Sequence, residues 1–361
     1  MKYFKKSILL TINLIYAIFF LCCQTTDIQE IKTISGKTIK KSEFDKFINT
    51  QMDSLNIKGI SVAVINNGKI VYHLTEGITD KYTLNPIDKN TLFEAASLSK
   101  PVFAFFVMKQ VEKNLIDLDT PLYKYLPYPD IAYDERYKKI TARMVLCHTT
   151  GFPNWRENDT LKIQFEPGTQ FSYSGEGYEY LAKLISHINN LKITSLDSLF
   201  QKEVAEPLGL KHFHFGINPY IAKHLASGHA GNEKVIDDSW DRRGFYSASG
   251  LYSESLDYAK FLIAIMASKG LKESSISEML KAQIDLPKDN NNRRNFGNTH
   301  WALGFSTRKT DFGTVYMHGG NNWGYTSSFL FDKDRKYGYV FFTNSDQRNE
   351  LKKRMMKYLI R

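Results

Sequence analysis

The sequence predicts an α+β fold, an α/β sandwich. One antiparallel sheet is built from both ends of the chain and flanked by helices, and a mostly helical subdomain is inserted between its halves. Three observations predict it. β-rich runs meet at Asn66-Asn67-Gly68-Lys69 near the start, and Asn-Gly between such runs is a strong hairpin signal. A second group of β-rich runs fills Trp301 to Thr343, near the other end. Between them, from about Leu115, lie helical patterns and loops of turn formers, so the strands of the two ends must find each other across an insertion. With 361 residues, 42% hydrophobic and 14% aromatic, the chain can bury a large core and is not disordered.

Residues 1–23 read as a targeting segment. Lys2, Lys5 and Lys6 precede Ser7 to Leu21, a mostly apolar run of 15 residues, short of the roughly 20 that a spanning helix needs. The run ends at Leu21-Cys22-Cys23, which resembles a bacterial lipoprotein signal with Cys22 or Cys23 as the lipidated residue; an uncleaved anchor is the alternative. Either implies an exported, membrane-anchored domain, periplasmic or at the cell surface. Residues 24–41 are polar and aperiodic, a linker. Residues 42–361 form the folded domain, with a sheet subdomain at 42–110 and 290–361 and a helical subdomain at 111–289.

Within that domain the elements follow in order. Ser42 to Leu55 is helical, with Phe44, Phe47, Ile48 and Leu55 apolar. Ile60 to Ile65 and Ile70 to Leu74 are the hairpin strands. Val102 to Val111 is apolar on several faces, as a helix buried all round is. Thr141 to Cys147, Glu176 to Ile188, Ser195 to Ala205 (stopped by Pro207 and Gly209) and Leu256 to Met266 are helices. Lys288 to Asn298 is Asn-rich and reads as a mobile loop. Trp301 to Ser306, Thr314 to Met317, Tyr325 to Phe331 and Tyr337 to Thr343 are strands. The last helix, Gln347 to Ile360, sets Leu351, Met355, Tyr358 and Leu359 on one face.

Chemistry concentrates at Ser97-Leu98-Ser99-Lys100-Pro101. Pro101 suits the first turn of a helix. A helix starting at Ser97 places Ser97 and Lys100 on one face. A serine hydroxyl needs a base to become a nucleophile, and a buried lysine, its pKa lowered by desolvation, can serve. The helix N-terminus adds N–H groups suited to an oxyanion. The second such spacing, Ser306 to Lys309, lies in a strand, where residues three apart point to opposite faces. Two further stretches stand out: Tyr173-Ser174-Gly175 in a loop, and His318-Gly319-Gly320-Asn321 ending a strand.

The three stretches, in this order and context, resemble the serine β-lactamase and penicillin-binding protein superfamily, in its class C-like branch. The resemblance runs from about Asp45 to the C-terminus. Thr91-Leu92-Phe93, His148-Thr149-Thr150-Gly151, Pro167-Gly168-Thr169, Glu206-Pro207-Leu208-Gly209-Leu210, Ser249-Gly250-Leu251-Tyr252-Ser253 and Gly324-Tyr325 add to it. It implies Ser97 as nucleophile and Lys100 as the group that takes its proton or orients it. Tyr173 would share the base role through a lowered pKa if a cationic lysine stands near it, with the choice of base between the two left open. The resemblance also implies an oxyanion hole from the backbone of Ser97 and Asn321. His318, Gly319, Gly320 and Gly175 would flank the substrate.

Two departures from the family pattern bear on function. Gly175 stands where β-lactamases carry Asn, and His318 where they carry Lys, so an amide and a fixed cation are absent. A histidine of ordinary pKa near 6.5 would restore the cation only at lower pH. The expected activity is therefore cleavage of an ester or peptide-like amide. The alternatives are a β-lactamase or D-Ala-D-Ala-type peptidase, and a non-catalytic peptidoglycan-binding module. The partner is a small-molecule or peptide-like substrate, cell-wall peptides included, with no cofactor. His148 reads as a structural residue that hydrogen-bonds its turn. His212 and His214 have no acidic or cysteine neighbours in sequence and read as no metal site. Cys147 reads as a small buried side chain. The net charge of +10 owes much to the leader and to Lys352, Lys353, Arg354, Lys357 and Arg361, read as a solvated helix face rather than a nucleic-acid surface.

Overall fold

Strands buried along their whole length build the centre of the molecule. The computed structural model describes residues 30–156, 159–236, 241–347 and 349–360; the leader with Cys22 and Cys23 lies outside them. In chain order the strands are β1 (Glu30–Lys32), β2 (Thr38–Lys40), β3 (Gly59–Asn66), β4 (Lys69–Gly77), β5 (Phe93–Glu94), β6 (His214–Phe215), β7 (His229–Ala230) and β8 (Glu233–Lys234). They continue with β9 (Leu251–Ser253), β10 (Ile284–Asp285), β11 (His300–Trp301), β12 (Ser306–Thr310), β13 (Gly313–Asn322), β14 (Tyr325–Asp332) and β15 (Tyr337–Thr343). Eight of them form one antiparallel sheet in the order β10-β11-β12-β13-β14-β15-β3-β4. The two chain ends meet where β15 pairs with β3, Thr343 opposite Ile60 and Gly338 opposite Ile65. Asn67 and Gly68 take positive φ in the tight turn between β3 and β4, as the Asn-Gly signal requires.

Successive residues of these strands enter two different cores. Ile60, Val62, Val64, Tyr339 and Phe341 pack with Phe44 and Ile48 of α1 (Lys41–Leu55) and with Leu351, Met355 and Leu359 of the last helix. Ala63, Ile65, Val340 and Phe342 face the larger core on the other side, with α2 (Ser99–Glu112). The remaining helices are α3 (Ala142–Leu146), α4 (Gly175–Ile188), α5 (Leu196–Phe200), α6 (Glu206–Leu208), α7 (Pro219–His224), α8 (Ser255–Met266), α9 (Glu273–Leu280), α10 (Asn291–Phe296) and α11 (Glu350–Leu359). α5 runs through a π turn, Gln201–Ala205, into α6, so Pro207 lies in the final turn and Gly209 closes it at φ 71°.

Several expectations need correction. The described part of the stretch read as a linker holds the β1–β2 hairpin. Ile31, Ile34 and Ile39 are buried in the α1 core, and the Asn66 side chain clamps both backbone groups of Lys32, at 2.8 and 2.9 Å. The Asn-rich stretch is not simply a loop: Asn290 caps α10 and Phe296 is buried. Trp301 to Ser306 is two strands, β11 and β12, separated where Gly304 takes φ 89°. β10 joins the sheet from within the stretch read as helical. No helix among the described residues is long and apolar enough to cross a membrane.

Candidate active site

Ser97 sits on a constrained corner. β5 ends at Glu94, and Ala96, without the freedom of glycine, takes φ 50°, a strained conformation for an L-residue. A 3-10 turn, Ala96–Leu98, then leads into α2 at Ser99, two residues after the expected helix start. The corner is held by buried hydrogen bonds. Ser99 Oγ donates to Ala96 O (2.6 Å) and accepts from Leu251 N (3.0 Å), while Tyr258 Oη donates to Leu98 O (2.8 Å).

Lys100, one helical turn on, is 1% exposed. Its Nζ donates to Ser97 Oγ at 3.3 Å and to Ala248 O at 2.9 Å. Burial lowers its pKa to about 7, with the charge of Glu179 opposing. Tyr173 hydrogen-bonds with Ser97, and its ring lies 4.7 Å from Lys100 Nζ. Burial raises the Tyr173 phenol above its ordinary value, the bond to Ser97 opposing. The expectation of a lowered tyrosine pKa therefore fails: desolvation penalises the phenolate, and the neighbouring lysine keeps only part of its charge at pH 7.

Two side chains that sequence reasoning gave no site role position this pair. His148 is fully buried at φ 60°. Its Nδ1 accepts from Ser174 N at 3.1 Å and its ring lies 4.3 Å from that of Tyr173, so it fixes the tyrosine loop rather than its own turn alone. Burial, with Lys100 and His318 nearby, holds it neutral. Glu179 on α4 accepts from Ser247 Oγ (3.2 Å) and Ala248 N (3.0 Å), fixing the carbonyl that binds Lys100. Burial raises its pKa to about 7. Its place six residues after Tyr173, on the helix that Ser174 caps, was the available signal.

β13 forms the opposite wall. His318 is 4% exposed; its Nδ1 bonds to Gly319 O at 2.9 Å, and its Nε2 has no hydrogen-bond partner among the described residues. Burial and the charge of Lys100 lower its pKa to about 3. It therefore supplies no cation at pH 6, contrary to the expectation built on an ordinary histidine. Gly320 lets the strand close on the Ser97 corner: a Cβ there would stand 2.4 Å from Ala95 O and 3.1 Å from Ala96 Cβ. Gly175 is covered by Trp155, whose ring would lie 2.6 Å from an added Cβ. Neither glycine lines the cleft, whereas Ser97, Tyr173, His318, Gly319 and Asn321 do.

The cleft encloses about 380 Å³ and is also lined by Asn290, Asn291, Asn292, Trp301, Asn349 and Lys352. Lys352, read as part of a solvated face, is 3% exposed. It stands three and seven residues before Met355 and Leu359, at the edge of the buried stripe of α11, and that spacing was the signal. Elsewhere, His212 does have acidic partners: Glu254 lies 3.1 Å from its Nδ1, and Asp257 accepts from its backbone N. These carboxylates also take the first N–H groups of α8 and the Lys260 ammonium. They come from another element, so sequence neighbourhood could not reveal them. Cys147 is buried, as expected.

Comparison with known proteins adds to this geometry. The family model Beta-lactamase matches residues 44–359. Protein flp of Staphylococcus aureus is 23% identical over 330 residues, covering 84% of this chain, and the chain spans 63% of the length of that protein. The octameric penicillin-binding protein homologue from Pyrococcus abyssi superposes with a TM-score of 0.74 at 21% identity, over 89% of this chain and 77% of that one. The D-alanine carboxypeptidase AmpC from Burkholderia cenocepacia gives 0.74 at 18% identity, over 88% and 99%. These two likenesses concern the fold.

Proposed function

From the premise that the chain belongs to the β-lactamase family of serine hydrolases, we propose that it cleaves an ester or peptide-like amide through an acyl-enzyme on Ser97. The observation that carries this reading is the Lys100 ammonium nitrogen 3.3 Å from Ser97 Oγ, buried and titrating near 7. About half of Lys100 is then neutral at pH 7, a general base of matched strength.

Lys100 takes the Ser97 proton as Oγ attacks the carbonyl carbon. The tetrahedral oxyanion is held by the backbone N–H groups of Ser97 and Asn321. On collapse the bond to the leaving group breaks and the proton passes from Lys100 to that group. Water then attacks the acyl carbon and gives its proton to Lys100; the Oγ–acyl bond breaks, Lys100 passes that proton to Ser97 Oγ, and the acid leaves. Tyr173, kept as a phenol, hydrogen-bonds with Ser97 and orients the hydroxyl; the raised tyrosine pKa favours Lys100 as the base. A non-catalytic binding module has no need of a buried lysine discharged beside a serine, so that alternative is the weaker.

β-Lactam hydrolysis or D-Ala-D-Ala-type peptidase action is the second reading, and a specific observation favours it. The cation that His318 does not provide is present in the same cleft as Lys352. The reading also includes export and tethering through Cys22 or Cys23, on the strength of the leader sequence, and a substrate drawn from small esters or cell-wall peptides. Labelling with a fluorophosphonate and a tagged penicillin tests it. Wild type is expected to take the fluorophosphonate and Ser97→Ala to take neither; labelling that ignores Ser97 overturns the assignment.

A further inference from the structure

Glu94 ends β5, three residues before Ser97, and is 3% exposed. Its two carboxylate oxygens are divided between segments far apart in sequence. Oε2 accepts from Asn322 Nδ2 at 2.7 Å, and Oε1 lies 3.0 Å from Arg242 Nη1. Arg242 is itself anchored: its carbonyl oxygen accepts from Ile217 N at 2.7 Å, and its side chain hydrogen-bonds with Tyr325. A carboxylate is costly to bury unless it is paired, and a buried ion pair adds little stability over apolar packing of the same volume. What the carboxylate supplies here, and an apolar side chain could not, is direction: a charge-assisted bond aimed at the end of β13.

That end carries Asn321, whose N–H is the second oxyanion donor of the acyl-transfer reading. Both neighbours of Asn321 are fastened to the residues that lead into Ser97. On one side Gly320 lies against Ala95, where an added Cβ would stand 2.4 Å from the carbonyl oxygen. Ser327 of β14, paired with Gly320, donates from Oγ to that same oxygen at 2.8 Å. On the other side Asn322 is held by Glu94. Asn322 is the last ladder residue of β13, opposite Tyr325, before the turn in which Gly324 takes φ 86°. The ladder therefore ties Asn322 to β14, and Glu94 ties it to the Ser97 corner.

Resting on the acyl-transfer reading above, we propose that Glu94 is a positioning residue for the oxyanion hole: through Asn322 it sets the Asn321 N–H against the Ser97 N–H, and Arg242 holds the carboxylate in place. It acts through β13 and not by contact with the substrate.

Replacing the carbonyl oxygen of an ester by sulfur tests this, because sulfur is too large and too weak an acceptor to use a hole built for oxygen. Kinetics are measured with 4-nitrophenyl acetate and with 4-nitrophenyl thionoacetate. The ratio of their kcat/KM values reports the hole and does not depend on how much of the protein is folded. Glu94→Ala is expected to lower this oxo-to-thiono ratio roughly 10- to 100-fold, the effect of a donor misplaced rather than removed, with the thionoester little changed. Asn322→Ala leaves the Glu94–Arg242 pair in place, gives the same readout even where Glu94→Ala does not fold, and should lower the ratio to a similar extent. The double variant should be no worse than the stronger single, because both remove one contact. Ester turnover that requires Ser97, with a ratio unmoved in Asn322→Ala or a loss shared equally by both esters, overturns the proposal alone. Ester turnover that is absent from wild type, or that survives Ser97→Ala, overturns the acyl-transfer reading and the proposal with it.

Discussion

Lys100 Nζ lies 3.3 Å from Ser97 Oγ while donating to Ala248 O at 2.9 Å, so one nitrogen couples the Ser97 hydroxyl to a turn held by Glu179. Ser97→Ala and Lys100→Ala should each lower kcat by roughly a thousandfold or more, and the double variant should be little worse, because members of one catalytic unit do not add. Steady-state kinetics on folded protein check this; a tenth of wild-type kcat in Ser97→Ala would remove the nucleophile assignment.

The pH profile should follow Lys100. The reactive form is neutral, so kcat/KM for a neutral ester is expected to rise through about pH 7 and level off. Glu179→Gln keeps an oxygen for Ser247 and Ala248 but removes the charge that raises the Lys100 pKa. The rise should therefore move to lower pH. His318, with a pKa near 3, adds no transition near 6.5. A profile unmoved by Glu179→Gln would separate Glu179 from Lys100.

For a carboxylate-bearing ester the same profile should bend down again above pH 7. Burial takes Lys352 to about 7, with Asp346 opposing, and the neutral amine no longer attracts the anion. His318 on β13 is neutral throughout this range and Lys100 on α2 discharges over it. A bell for the acid beside a plateau for its neutral twin is the expected pair of curves.

The two buried lysines also link stability to pH. Each titrates near 7 in the folded chain against 10.5 ordinarily. The unfolded chain therefore binds more protons between those values, and stability should rise with pH from about 7 toward 10. Lys352→Met should raise Tm at pH 7 and flatten its pH dependence, as scanning calorimetry across pH would show.

Two glycines carry packing that can be tested. Gly320→Ala drives a methyl into Ala95 O and Ser327 Oγ, and should cost about 1–3 kcal/mol while lowering activity, because β13 must retreat from the Ser97 corner. Gly175→Asn should displace the Trp155 ring and change its fluorescence, with Trp155→Ala relieving the loss. Denaturant titrations and tryptophan emission give the readouts.

The sequence by itself determined the features set by local spacing. Asn67-Gly68 fixed the hairpin, the β-rich runs near both ends fixed the sheet, and a three-residue spacing along a turn put Lys100 beside Ser97. Each depends on chain geometry that adjacent residues impose. The tertiary structure decided what depends on burial and on approach between distant segments. It covered Gly175 with Trp155, brought Glu179 beneath Lys100, and turned Lys352 from a surface charge into a wall of the cleft. It also raised Tyr173 and lowered His318, reversing the expected titrations, because desolvation is a property of the packed surroundings and no residue carries it in its own name.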